Sequence, residues 1–225
     1  MIYRYFKKSA FSLIELLVVC GIIALIAGFA VPSVVGMMKG SQLTQASQTL
    51  TDQIALARQL ALTKNRSVEV RFYRFGDPES PGESPDKPDE GKYRGMQLFE
   101  VSNNGAALPI GKFQRLPTGI VMSKGALSSL IEKLPERSAS SASGDPELPI
   151  LPGDSKWEYR IVAFRFLPDG STDLSPVGGG SGGNWFVTIH GIEQSETLSK
   201  PPANFFTLQV DPVSGTTKAF RPTAG

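Results

Sequence analysis

Apolar and polar positions follow three different rhythms along this chain of 225 residues. From Phe11 to Met38 nearly every position is apolar, and Leu16–Val31 carries no charge, which is long enough to cross a bilayer. Beyond Gly40 the apolar residues fall three or four apart, at Leu43, Ala46, Leu50, Ile54, Ala57 and Ala61. Gln42, Gln45, Gln48, Asp52, Gln59 and Lys64 fill much of the rest. That spacing predicts an amphipathic helix with a narrow, alanine-rich stripe, suited to lying close on a sheet. From Ser67 onward the period becomes two. The runs SVEVRFYRF, MQLFEV, EYRIVAFRFL, NWFVTIH and FFTLQV alternate and predict strands.

No turn signal separates the first two rhythms, so they predict one helix over 11–64, a rod about 80 Å long at 1.5 Å per residue. Pro32 lies inside it, flanked by Gly28 and Gly36. A proline there removes one backbone hydrogen bond and predicts a kink or a melted turn rather than an end. Asn65, beside Lys64, predicts the stop. A short amphipathic helix is expected around 126–134.

Three polar insertions interrupt the strand region: acidic, proline-rich 76–92, serine-rich 138–153 and the glycine stretch 178–183, all expected to be flexible. The expected fold is α+β, one antiparallel sheet laid across the second half of the long helix. The division that follows is a leader at 1–10, an apolar helix at 11–38, its amphipathic continuation at 39–66 and a β-rich domain at 67–225.

Charge is uneven. The net charge is +2, yet the first ten residues hold three basic side chains, Arg4, Lys7 and Lys8, and no acidic one. The nearly neutral remainder argues against a general binder of nucleic acid or polyanions. The basic leader predicts a cytoplasmic N-terminus, with everything after the helix on the far side of the membrane. The single cysteine, Cys20, lies in the apolar helix, so the chain can form no internal disulfide and no cysteine-based metal cluster.

One carboxylate, Glu15, sits at the start of the apolar run. A charge in a membrane-spanning helix costs roughly 2.5–3.5 kcal/mol at mid-bilayer, so it needs a partner or a purpose. A secretory signal peptide would share the basic start and could be cut at Gly28-Phe29-Ala30. That reading leaves Glu15 interrupting the apolar region and the apolarity continuing to Met38. A plain uncleaved anchor explains the length and gives Glu15 no role.

The residues Ser9-Ala10-Phe11-Ser12-Leu13-Ile14-Glu15, and FSLIELLVV in particular, resemble the processing signal of type IV prepilins and type II secretion pseudopilins. The resemblance implies a cut by prepilin peptidase between Ala10 and Phe11, with N-methylation of Phe11. The family usually has glycine before the cut, and here alanine stands there. Glu15, fifth from the cut, would meet the N-terminal ammonium of a neighbouring subunit during assembly, a pairing that offsets its desolvation only in good geometry. Pro32 matches a proline common in pilins. Implied partners are other pilin-like subunits, prepilin peptidase, an inner-membrane assembly platform and membrane lipid. The implied location is the bacterial inner membrane, single-pass, with a periplasmic C-terminal domain.

Three further segments narrow the likeness to pseudopilin H and FimT-like minor pilins: ALARQLALTKNRSVEVRF, FRFLPDGST and LQVDPVSGTTKAFRP. The pattern also resembles the pilin-like Verru_Chthon cassette proteins. The FimT likeness implies Lys218 and Arg221 as candidates for touching DNA, although two basic residues on a near-neutral body argue against nucleic acid. Other chemistry is sparse. His190, the single histidine, has no partners at recognisable spacing and reads as a structural histidine. Asp169 and Asp173 offer alternate oxygen ligands without the rest of a calcium loop. GGGSGG lacks the Lys-Ser/Thr ending of a phosphate loop. No enzyme, metal or cofactor is expected.

Overall fold

The computed structural model describes residues 12–102, 104–140, 157–177, 184–194 and 202–222, with the side chains of 27–39 and 140 left aside. The chain divides into two units, residues 1–41 and 42–225.

The helix α1 runs from Leu13 to Lys64 as one assigned element, with no melted turn at Pro32. In the first unit the described apolar side chains, including Leu13, Ile14, Leu17, Ile23 and Leu25, are exposed. In the second unit all six positions of the alanine-rich stripe, from Leu43 to Ala61, are buried. The helix stops where the sequence predicts. Asn65 takes a left-handed φ of 52°, and the Arg66 N–H reaches back to the Ala61 carbonyl at 3.4 Å. This is a Schellman-type closure, with asparagine in the place glycine usually takes.

Among the described residues the stripe packs on one antiparallel sheet of nine strands. The strands are β1 (Val68–Phe75), β2 (Lys92–Val101), β3 (Ala107–Arg115), β4 (Ile120–Met122), β5 (Arg137–Ser140), β6 (Glu158–Phe166), β7 (Trp185–Gly191), β8 (Phe205–Val210) and β9 (Thr217–Phe220). Their spatial order is β5-β6-β1-β2-β4-β7-β8-β9, with β3 pairing beside β2. Val68, Val70 and Phe72 of β1 join the helix stripe in the main core, along with Val162, Phe164 and Phe166 of β6 and Val187 and Ile189 of β7. The expected short helix is a 3₁₀ turn at Gly125–Leu127 followed by α2 (Ser129–Lys133).

The opposite face of the sheet is covered as well. Tyr73, Phe75, Phe99, Trp157 and Tyr159 form a second buried cluster, with Phe113 of β3 packed against it. Their rings meet mostly edge to face, Tyr73 with Phe113 at 5.4 Å and Phe75 with Trp157 at 5.8 Å between centroids, the arrangement aromatic quadrupoles favour. Every residue of β1 is therefore buried.

The acidic stretch 76–92 is a series of hydrogen-bonded turns tied to the strands by four arginines. Arg94 donates to Asp77 at 2.8 Å and to both oxygens of Glu83 at 2.8 Å. Arg115 also pairs with Asp77. Arg74 reaches the Pro88 carbonyl at 2.7 Å and Asp89 at 2.5 Å, and Arg160 grips the same Asp89 with a fork of 2.7 and 3.1 Å. Of the second insertion, residues 138–140 belong to β5, while 141–153 and the glycine stretch 178–183 lie outside the described residues.

Candidate functional site

The N-terminal segment carries the sequence's most specific signal. Ala10 and Phe11, with the whole leader 1–10, lie outside the described residues, and the first described residue, Ser12, is already part of the site. The Ser12 N–H donates to a Glu15 carboxylate oxygen at 2.9 Å, and the Glu15 N–H donates to the Ser12 hydroxyl at 3.2 Å. This reciprocal pair is a capping box, in which Ser-x-x-Glu satisfies two of the donors left over at a helix start. The signal was present in the sequence as Ser12-Leu-Ile-Glu15 ahead of an apolar run. It is masked there by the same residues' match to a processing motif.

Glu15 thus has a local hydrogen-bond donor within its own chain. It also borders a shallow recess with Ile14, Val18 and Val19, and an apolar partner laid there would strip the carboxylate of water. Cys20 is exposed as a free thiol on the same segment. Pro32 falls within the continuous backbone of α1. The apolar span expected over 11–38 is covered by described side chains only from 12 to 26. Among the described residues no helix is long and apolar enough to cross a membrane.

The other candidates do not converge. Asp169 accepts from the Ser171 N–H at 2.9 Å and its hydroxyl at 2.6 Å, closing a turn. Asp173 instead accepts from the Arg165 N–H at 2.7 Å. Among the described residues no group of three or more His, Cys, Asp or Glu side chains is arranged to hold a metal. His190 is fully buried on β7, with Nδ1 at 2.8 Å from the Gly191 carbonyl, which makes that nitrogen the protonated one. Lys218 lies over the ring of Phe220 at 5.1 Å, and Arg221 donates to the Thr44 hydroxyl on α1 at 3.2 Å.

One junction went unread in the sequence. Arg58 on α1 donates through Nε to the carbonyls of Gly170 and Ser214, each at 3.2 Å. These belong to the two hairpin segments, FRFLPDGST and LQVDPVSGTT, and the Thr172 hydroxyl ties them again by donating to the Pro212 carbonyl at 2.9 Å. The helix-to-strand segment and both hairpins thus meet at one side chain.

Residues 5–31 match the family described as the prokaryotic N-terminal methylation motif. A comparison with curated proteins returned no match. Among solved structures, a minor pseudopilin EpsH of the type II secretion system of Vibrio cholerae is similar at 10% identity and a TM-score of 0.41, over 81% of this chain and 99% of that one. The type IV minor pilin FimU of Pseudomonas aeruginosa is similar at 10% identity and a TM-score of 0.41, over 84% and 98%. Likenesses of that degree carry no argument about function; the motif does. The chain thus carries an N-terminal methylation motif at residues 5–31 and, further along, a helix stripe packed on an antiparallel sheet.

Proposed function

We propose that the chain is a minor pilin-like or pseudopilin subunit of a type II secretion or type IV pilus-like apparatus, with a structural rather than a catalytic role. The observation that carries this reading is the motif itself: FSLIELLVV after a short basic leader, with one carboxylate at Glu15. Prepilin peptidase cuts between Ala10 and Phe11, and the new amine is methylated. The helix then anchors the chain in the inner membrane, N-terminus cytoplasmic, with the sheet domain in the periplasm.

Assembly follows from the chemistry of Glu15. Before assembly its carboxylate is held by Ser12. In a packed bundle, water leaves the recess beside Val18 and Val19, and an incoming ammonium from a neighbour's Phe11 supplies the missing countercharge. A subunit out of register would leave both charges bare. Exposed loops of the sheet domain face neighbouring subunits or cargo.

Ala10→Leu tests the processing step, because the peptidase needs a small residue before the cut. The variant is expected to retain its leader, seen as a heavier chain by intact mass. An identical mature mass for variant and wild type would overturn the assigned cut.

A further inference from the structure

The loop joining β2 to β3 is built on the one Asn-Gly pair of the sequence, Asn104-Gly105. The Ser102 N–H donates to the Ala106 carbonyl at 2.8 Å, and the Gly105 N–H donates to the Ser102 carbonyl at 2.9 Å. Gly105 itself takes a left-handed φ of 83°. These are the marks of a short hairpin loop that closes on a left-handed glycine, a conformation other residues adopt only with strain.

Asn104 is exposed, and its side-chain carbonyl accepts from the Ala106 N–H at 3.1 Å. An Asx turn of this kind folds the amide forward over the peptide that follows. Accepting that hydrogen bond also draws electrons from the side-chain carbonyl carbon, Cγ, and makes it a better electrophile. The nucleophile nearest to it along the chain is the Gly105 nitrogen. Nothing lies within 4 Å of where a Cβ would stand on Gly105, so no side chain shields the approach.

Other asparagines lack this setting. Asn65 precedes Arg66, a bulky residue whose N–H is held by the Ala61 carbonyl. Asn184 precedes the buried Trp185, and its side-chain oxygen accepts from Gln209 Nε2 at 2.8 Å. Asn204 precedes Phe205 at the start of β8. At Asn104 one restraint remains. The Gly105 nitrogen cannot attack while its proton is held by the Ser102 carbonyl, so the turn must open locally first.

We propose that Asn104 is a site of spontaneous deamidation, gated by opening of this turn. Solvent hydroxide takes the Gly105 N–H proton, and the nitrogen forms a bond to Asn104 Cγ. The bond from Cγ to the side-chain nitrogen breaks, and that nitrogen leaves as ammonia with a proton from water. Water then opens the resulting succinimide at either carbonyl. The products are aspartate at 104, or isoaspartate with an additional methylene in the backbone; nothing is oxidised or reduced. The isoaspartate chain is longer between 104 and 105 and cannot keep the Gly105–Ser102 bond in its present geometry. Either product places a new carboxylate next to Gly105, which borders a recess with Arg137 and Arg165. The site is separate from the N-terminal motif and stands whether or not the chain assembles as a pilin-like subunit.

The test incubates the full chain in detergent in mildly alkaline buffer, with and without urea, then digests it in acid and maps the peptides by mass spectrometry. The expected result is an amide-to-acid mass gain that fragment ions place on Asn104, split into two products of equal mass, while Asn65 and Asn184 stay amides. Conversion should be faster in urea, where the Ser102 hydrogen bond is lost. Asn104→Gln, whose longer side chain closes the ring poorly, should show no gain at that position. An Asn104 that stays wholly amide in the folded protein, or equal conversion at Asn65 or Asn184, would overturn the site. Equal rates with and without urea would overturn the gating by the turn.

Discussion

Arg58 Nε lies 3.2 Å from the carbonyl oxygen of Gly170, and the same nitrogen lies 3.2 Å from that of Ser214. One guanidinium on the helix therefore fixes two hairpin tips at once. The tips pack so closely that a Cβ on Gly215 would overlap the Gly170 carbonyl, and Gly215 itself has φ 65°.

Gly215→Ala should accordingly destabilise the sheet domain by about 1–3 kcal/mol, from left-handed strain and the clash together. Gly119→Ala, at φ 87° but in open space, should cost less. Guanidinium denaturation of the full chain in detergent compares them, and equal midpoints would contradict the close packing.

The helix stripe makes a second prediction. Ile54 is fully buried beneath the sheet, whereas Leu62 is 44% exposed. Ile54→Ala should cost about 2–5 kcal/mol through lost burial and the cavity left behind, and Leu62→Ala much less. Thermal denaturation of the two variants checks the ordering.

Acid should release the loop 76–92. Burial alone would raise the Asp77 carboxyl, but the Glu79 N–H and the guanidiniums of Arg115 and Arg94 outweigh it and hold it below its ordinary value. The Arg160 hydrogen bond lowers Asp89 in the same direction. A carboxyl lowered in the folded state contributes stability that is present above its unfolded value, about 4, and is lost as pH falls through the folded one. Protection factors for hydrogen exchange across 76–92, which divide out the intrinsic pH dependence of exchange, should be high at neutral pH and fall below about pH 4. Equal protection at pH 7 and pH 3 would mean the arginines do not hold the loop.

Much of this fold is legible in the sequence because periodicity reports burial directly. The stripe from Leu43 to Ala61 and the strand at Phe205–Val210 are where the alternations put them. The strands β3, β4 and β5 were not legible. ALPIGKFQR mixes apolar and charged residues without period, and Ile120–Met122 is too short to show one. The second aromatic cluster was hidden because Tyr73 and Phe75 occupy the phase that alternation assigns to solvent. Acidic 76–92 reads as a free loop because its partners Arg74, Arg94, Arg115 and Arg160 lie on four different strands. At the N-terminus the reverse holds: FSLIE is local and specific, and the Ser12–Glu15 capping box is written in the same residues, overshadowed by the processing motif.

That box separates two roles for Glu15. Glu15→Gln keeps a side chain able to cap the helix but removes the charge, whereas Glu15→Val removes both. If the charge sets register, both variants should lose recovery in a sheared filament or cross-linked complex. Retention in Glu15→Gln alone would assign the residue to capping.

The central claim concerns where the mature chain begins, and N-terminal sequencing with intact mass of the protein purified from membranes measures it. A start at N-methylated Phe11 is the predicted result. A start at Val31, after the Gly28-Phe29-Ala30 site, or an intact Met1 would contradict it.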